Sequence, residues 1–365
     1  MNRNKFTKFL SIIVILFVST GLKIFAQGPK NIIFMIGDGM GLNHIYAAMT
    51  ANRGNLNMER CTYTGLSKTN SDDNYITDSA AGGTALACGR KTKNGMIGMA
   101  PDTTEIPSIL SLSSQTGKAT GVVVTSSVTH ATPASFVAHQ DNRKKEDEIA
   151  VDFVNSSIDL FIGGGLKFFK NRKDGKELIN RLEEKGYKVV TTEKELDKVK
   201  RGKLAGLLAH EALPKATEGR GDLLSTSTSK AIELLNQNKE GFFLMIEGSQ
   251  IDWGSHANDS KHTIAELLDF DKTVGTVLDF AEKDGNTLVI ITADHETGGV
   301  TIKNGDLTEG TVELKFETLK HTGTLVPIFT YGPFAEKFSG IQENIDIPQE
   351  IMKIWSLEEC NKGKK

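Results

Sequence analysis

Ile32-Ile33-Phe34-Met35-Ile36-Gly37-Asp38-Gly39-Met40-Gly41 opens as an unbroken apolar run and ends in glycines on both sides of one carboxylate. An apolar run with no polar alternation is the pattern of a strand covered on both faces, and such strands belong to parallel sheets held between helices. The flanking glycines let the chain turn sharply and leave the Asp38 carboxylate facing the crevice beyond the strand. In open α/β sheets ligands sit beyond the carboxyl ends of the strands, so this stretch also shows where to look for chemistry.

Further apolar, β-branched runs lie along the chain: Thr120 to Thr125, Ile158 to Ile162, Tyr187 to Val190, Phe242 to Ile246, Thr287 to Thr292 and Leu325 to Thr330. Helical patterns separate them. The clearest is Thr263 to Glu282, where Ile264, Leu267, Leu268, Val274, Val277, Leu278 and Ala281 fall near one stripe and Asp284-Gly285-Asn286 closes the helix. Alternation of strand and helix predicts a three-layer α/β/α sandwich on a mostly parallel central sheet. No linker, repeat or low-complexity tract interrupts residues 27–365, which are expected to form a single catalytic domain. The tail Asn361 to Lys365 is expected to fray.

Residues 1–26 read differently. Arg3, Lys5 and Lys8 precede the apolar run Phe9 to Val18, and small residues lead to Ala26, the pattern of a secretory signal peptide. The run is short for a spanning helix, and the expectation is a periplasmic or secreted protein without a stable membrane anchor after cleavage. Three cysteines, Cys61, Cys88 and Cys360, cannot make a disulfide framework, and a Cys61–Cys88 bridge stays open. The charge balance of Lys+Arg 43 against Asp+Glu 46, net −3, excludes a polybasic nucleic-acid binder, and 38% hydrophobic residues exclude a disordered chain. Glycine is over-represented, 36 of 365 residues against about 7% in ordinary proteins, so many turns must bring backbone close to something.

Three strands end in chemistry. Phe242 to Ile246 runs into Glu247-Gly248-Ser249-Gln250-Ile251-Asp252-Trp253-Gly254-Ser255-His256, where Asp252 and His256 at i and i+4 share a face if the segment is helical. Thr287 to Thr292 runs into Ala293-Asp294-His295-Glu296. Taken singly, these are ordinary turn and surface residues. Together, Asp38, Glu247, Asp252 and Asp294 with His256 and His295 could not converge without strong repulsion unless cations sat among them. Mixed His/Asp ligation suits zinc, and a carboxylate-and-hydroxyl site suits magnesium. Paired metals about 4 Å apart serve in-line phosphoryl displacement. A nucleophile and an anion clamp are then expected. Ser79, in Thr77-Asp78-Ser79-Ala80-Ala81-Gly82-Gly83, sits at the start of a small-residue helical run whose backbone N–H groups can hold an oxyanion, though Asp78 or Ser79 alone is an ordinary N-cap. Arg143 can offer a bidentate guanidinium, and His321, just before the Leu325 to Thr330 run, is a further candidate ligand.

With His130-Ala131-Thr132-Pro133-Ala134 and His321-Thr322-Gly323 added, these motifs in their order resemble the alkaline phosphatases from about Lys30 to Gly332. The resemblance implies a phosphomonoesterase working through a phosphoserine on Ser79, with Arg143 binding the phosphate. It implies two zinc ions, one held by Asp252, His256 and His321 and one by Asp38, Asp294 and His295. A third metal, usually magnesium, would be held by Asp38, Thr132 and Glu247. His130 and Trp253 stand at two positions that vary in that family, and an imidazole at the first would tilt the third site toward zinc or cobalt. Small phosphate monoesters and inorganic phosphate are the implied partners, with no specific nucleic-acid partner, and a homodimer is the family habit. Three divalent ions outweigh four carboxylates and a serine alkoxide, so with Arg143 the loaded site is cationic and suits a phosphate dianion. A phosphodiesterase or sulfatase of the same superfamily, or a non-catalytic phosphate- or metal-binding protein, are the rival readings. Ser79-Ala80-Ala81-Gly82-Gly83 lacks the Cys/Ser-x-Pro-x-Arg pattern of sulfatases.

Overall fold

The computed structural model describes residues 28–357. The expected signal peptide, Cys360 and the Lys-rich tail lie outside the described residues.

In chain order the strands are β1 (Asn31–Gly37), β2 (Tyr63–Lys68), β3 (Ala119–Ser127), β4 (Leu160–Gly164), β5 (Tyr187–Val190), β6 (Lys203–Leu207) and β7 (Phe242–Gly248). They continue as β8 (Thr287–Thr292), β9 (Glu296–Thr297), β10 (Val300–Asp306), β11 (Thr311–Phe316), β12 (His321–Thr322), β13 (Val326–Tyr331) and β14 (Gly340–Glu343). Ten of them make the central sheet in the order β14-β2-β13-β8-β1-β7-β3-β4-β6-β5. Every neighbouring pair is parallel except the two that flank β13, which runs against both β8 and β2.

Alternate residues of β1 feed two different cores. Ile32, Phe34 and Ile36 join one with the helix Ser79–Cys88, the helix Ile109–Gln115 and the helix Glu146–Asn155. Ile33 and Met35 join the other with the helices Leu42–Ala51, Leu223–Leu235 and Ser260–Asp284. Burial on both faces is the physical reason the run has no polar alternation, and it gives the expected three layers. The long helix begins at Ser260, three residues before the sequence pattern, because the Asp259 side chain accepts from His262 N and caps it. It ends where Gly285 takes φ +67°.

Cys88 belongs to the first core, and Cys61 packs against the second, on the other face of the sheet. Both are free thiols, so the open question of a Cys61–Cys88 bridge is answered against it. Burial pushes both thiols up to about 12.

Candidate metal and phosphate site

Register brings the carboxylates together. β1 lies between β7 and β8, with Ile36 opposite both Glu247 and Thr292 and Gly37 opposite Gly248. Asp38, Glu247 and Asp294 therefore leave the same edge of three adjacent strands, and all three are completely buried. The turn after β1 is fastened to the turn after β8, since Gly39 N donates to Asp294 Oδ1 at 3.2 Å. From β7 the chain enters the helix Gln250–His256, which carries Asp252 and His256 on one side.

His321 arrives by another route. β10 and β11 form an exposed hairpin, and the chain returns through β12, which pairs with β9 so that His321 faces Thr297 and Thr322 faces Glu296. The Thr322 hydroxyl donates to the Glu296 carboxylate across this two-residue ladder.

Three ligand-like clusters result: Asp252 with His256 and His321, Asp38 with Asp294 and His295, and Asp38 with His130 and Glu247. Asp38 is common to the last two. In the first, Asp252 Oδ1 lies 3.2 Å from His256 Nε2 and 3.5 Å from His321 Nε2. In the second, His295 Nε2 lies 3.5 Å from Asp38 Oδ1 and 3.3 Å from Asp294 Oδ2. The third includes His130 itself. Thr132, expected there from the resemblance, lies in the short helix Ala131–Ala134 after His130, with its Oγ1 buried and unpartnered.

The histidines are held in one tautomer by what touches their outer nitrogens. Nδ1 of His256 meets the Leu319 carbonyl at 2.7 Å, Nδ1 of His321 meets the Thr77 carbonyl at 2.9 Å, and Nδ1 of His295 meets Thr297 Oγ1 at 3.2 Å. A carbonyl only accepts, so Nδ1 of His256 and His321 carries the proton and Nε2 keeps its lone pair toward the cluster. The Thr297 hydroxyl is committed as donor to Asp252 Oδ1, so it accepts from His295 Nδ1 and imposes the same tautomer. Two Nε2 atoms, of His256 and His321, then face each other at 3.1 Å. With both protons on the far nitrogens, that approach is repulsive unless a cation lies between them and Asp252.

The carboxylates show the same lack of positive charge. Both oxygens of Asp38, Asp294 Oδ2, Glu247 Oε1 and Thr132 Oγ1 are buried without a hydrogen-bond partner. Burial first, then the charges of Asp294, Asp252 and Glu247, pushes Asp38 well above the usual carboxylate range. Burial raises Asp294 and pushes Glu247 up to about 8. Burial, followed by His321, drives His295 well below the ordinary imidazole range, while burial and then Arg143 bring His130 to about 3. Anionic oxygens left unpaired beside neutral imidazoles cost several kcal/mol each in a dry site, and divalent ions remove that cost. The residues fit metal at all three clusters.

Ser79 opens the helix Ser79–Cys88 and places Oγ 3.2 Å from His295 Nε2. Asp78 caps that helix by accepting from Ala81 N at 2.9 Å, so the helix start stands fixed beside the second cluster. The helix presses onto the second cluster because position 82 is glycine: a Cβ there would stand 3.1 Å from the Asp294 carbonyl oxygen. Arg143 lies on the far side of Asp78, with Nη1 3.1 Å from Asp78 Oδ2 and Nη2 3.3 Å from His130 Nε2. Its side chain stays 26% exposed, so the guanidinium is anchored yet open to an arriving anion. The rings of His130 and Trp253 meet edge to face at 5.9 Å.

All the sequence-predicted site residues thus gather at one edge of the sheet. Sequence reasoning missed three supporting groups. Thr297 joins the first two clusters, Asp78 restrains Arg143, and Ser249 donates from Oγ to Glu247 Oε2 at 2.6 Å. Asp78 had a signal, a capping carboxylate directly before the candidate nucleophile. Thr297 and Ser249 had none, since their partners are set by tertiary contact.

A sequence profile of the alkaline phosphatase family matches residues 29–317, and alkaline phosphatase 4 of Bacillus subtilis is 37% identical, with 89% of this chain and 88% of that protein covered. The chain belongs to the alkaline phosphatase family. Escherichia coli alkaline phosphatase is 32% identical over 87% of this chain and 84% of its own. The alkaline phosphatase structure from the Antarctic bacterium TAB5 superposes with a TM-score of 0.87 at 45% identity, covering 90% of this chain and 99% of that one. A variant of that enzyme with glutamate in place of a histidine, bound to Mg in its M3 site, superposes with a TM-score of 0.86 at 44% identity, again covering 90% and 99%. Alkaline phosphatases are phosphomonoesterases, and this chain is a metal-binding hydrolase of that kind.

Proposed function

We propose that the protein hydrolyses phosphate monoesters to an alcohol and inorganic phosphate through a phosphoserine on Ser79. The observation that carries this reading is the placement of Ser79 Oγ 3.2 Å from His295 Nε2, at a helix start beside Arg143 and three cation-requiring clusters. Asp252, His256 and His321, a mixed nitrogen and oxygen set, suit zinc, as do Asp38, Asp294 and His295. Asp38, Thr132 and Glu247 offer hard oxygen donors that suit magnesium, with His130 beside them admitting zinc or cobalt instead. The TAB5 variant that holds Mg in its M3 site carries glutamate in place of a histidine, an added oxygen donor that suits this ion, whereas the third cluster of this chain keeps the imidazole of His130. When bound, such ions supply Lewis-acid charge that lowers the pKa of a hydroxyl or water and neutralises developing negative charge.

The chain's own residues then divide the work. Arg143 holds two phosphate oxygens in a fork and Asp78 fixes its orientation. The Ser79 hydroxyl gives up its proton as its oxygen attacks phosphorus, the ester P–O bond breaks, and the departing oxygen takes up a proton from solvent to leave as the alcohol. Backbone N–H groups at the start of its helix face the charge that builds on the phosphoryl oxygens. Water next attacks phosphorus, the bond to Ser79 breaks, and the serine oxygen regains its proton as phosphate departs. Inorganic phosphate, as product, competes for the same groups. We assign the protein to the periplasm or the exterior, on the residues 1–26 pattern, as one catalytic domain. No helix among the described residues is long and apolar enough to cross a membrane. A homodimer, the habit of the family the chain belongs to, completes the proposal. Hydrolysis of an aryl phosphate at alkaline pH, with and without chelator and in Ser79→Ala, tests the reading: activity should vanish in both, and full activity surviving both treatments would refute it.

A further inference from the structure

Beside the third cluster lies a cavity of about 210 Å³, one wall of which adjoins the candidate phosphate clamp Arg143. That wall is His130, whose Nε2 is 3.3 Å from Arg143 Nη2, and Trp253, the residue next to Asp252 of the first cluster. Gly163-Gly164-Gly165, a run to which the reaction gives no role, lies behind the rest of the lining and sets the course of the chain that reaches it. A Cβ on Gly164 would fall 1.8 Å from the Glu211 carbonyl oxygen, so only glycine lets the end of β4 lie against Glu211 and Ala212. The chain leaving that turn lines the cavity with Lys167 and Phe168.

The lining has a definite chemistry. Phe168 and Trp253 supply aromatic surface. Lys167 is neutralised by Glu211 at 2.6 Å and lies 4.8 Å from the Phe168 ring centroid, so it offers little free positive charge. Glu146 spends Oε2 on the Thr129 hydroxyl at 2.7 Å, while its Oε1 makes no hydrogen bond among the described residues. Two carboxylates thus face one ammonium group. A volume near 200 Å³ holds one six-membered ring with a substituent, since about 150 Å³ already admits benzene.

We infer that this cavity receives the leaving alcohol of the substrate, favouring an aromatic alcohol that carries a hydrogen-bond donor and disfavouring an anionic one. The inference rests on the phosphomonoesterase reading above. Phe168 and Glu146 are then specificity-determining residues: the ring packs against the leaving group and the free carboxylate oxygen accepts its donor or repels its charge.

The test is kcat/KM for 4-aminophenyl phosphate, 4-carboxyphenyl phosphate and glycerol 1-phosphate in wild type, Phe168→Ala, Glu146→Gln and Glu211→Gln. Phe168→Ala should lower the 4-aminophenyl value about fivefold or more and the glycerol value less than about twofold. Glu146→Gln, which keeps an acceptor for Thr129, should raise the 4-carboxyphenyl value relative to the 4-aminophenyl value about threefold or more, with the exposed Glu211→Gln moving it the same way. The inhibition constant of inorganic phosphate, which has no leaving group, should stay unchanged in all three variants. Equal factors on all three substrates, or a phosphate inhibition constant that moves with them, would overturn the assignment. Ser79→Ala reports separately on the hydrolysis reading, because the selectivity ratios do not depend on which group attacks phosphorus.

Discussion

Replacing Thr297 by valine removes one hydroxyl and almost no volume, yet that hydroxyl touches two clusters. It donates to Asp252 Oδ1 and accepts from His295 Nδ1 at 3.2 Å. The side chain is fully buried, so water cannot stand in for it. A hydrogen bond to a charged group is worth about 1.5–3 kcal/mol and a neutral one about 1 kcal/mol. Taking about 3 kcal/mol for the pair, at about 1.4 kcal/mol per tenfold, gives roughly a hundredfold loss of metal affinity, the upper end of the 10–100-fold range for groups that orient ligands. Valine also frees the His295 ring to turn or change tautomer, which would withdraw the Nε2 lone pair from Asp38 and Asp294. The measurement is activity against free zinc in a chelator-buffered series, for wild type, Thr297→Val and Thr297→Ser. The expected result is a zinc midpoint raised between about tenfold and a hundredfold in the valine variant and restored by serine, with the thermal midpoint at fixed zinc lowered in step and likewise restored by serine. A valine variant whose zinc midpoint stays within about twofold of wild type would show that the hydroxyl neither sets the tautomer nor holds Asp252.

Chelation should destabilise the folded protein, because it leaves the buried oxygens of Asp38, Glu247 and Asp294 unpaired. A lowered thermal midpoint in calorimetry, recovered on adding zinc and magnesium, is the expected outcome, and an unchanged midpoint would remove the electrostatic case for metal. The free thiols of Cys61 and Cys88, both pushed up to about 12 by burial, should resist alkylation at pH 8 and label only on unfolding. Since the thiolate is the reacting form and its pKa is raised, any native labelling should still be accelerating at pH 10. Peptide mass spectrometry reads this, and a linked Cys61–Cys88 peptide would contradict the packing.

Thr287–Thr292 appears in the structure with the bounds that its apolar run implies, because a strand buried on both faces has no alternative use for such residues, and Tyr187–Val190 keeps its bounds too although it is an edge strand with Lys188 exposed. Strand β6, Lys203-Leu204-Ala205-Gly206-Leu207, was not legible. Its Ala and Gly dilute the apolar signal, and it is defined by pairing with β4 and β5 rather than by its own composition. Strand β2 is half exposed and carries Gly65 where the backbone of Phe338 and Gly340 comes close. The reversed direction of β13 also had no local sign. At the site, residue type and position after a strand revealed the carboxylates and imidazoles, whereas their grouping around Asp38, and the inclusion of His130, depend on register between strands more than 200 residues apart.

The clip between β9 and β12 has a consequence for how the chain tolerates change. His321 is held to the Asp294–His295 turn by pairing with Thr297 and by the Thr322–Glu296 contact, not by the β10–β11 hairpin that lies between them in sequence. The cost of closing a longer loop grows only with the logarithm of its length. The hairpin tip at Glu309–Gly310 is therefore a natural port for grafting foreign sequence, a peptide tag or a whole folded module, onto a catalyst whose last metal-facing histidine would keep its place.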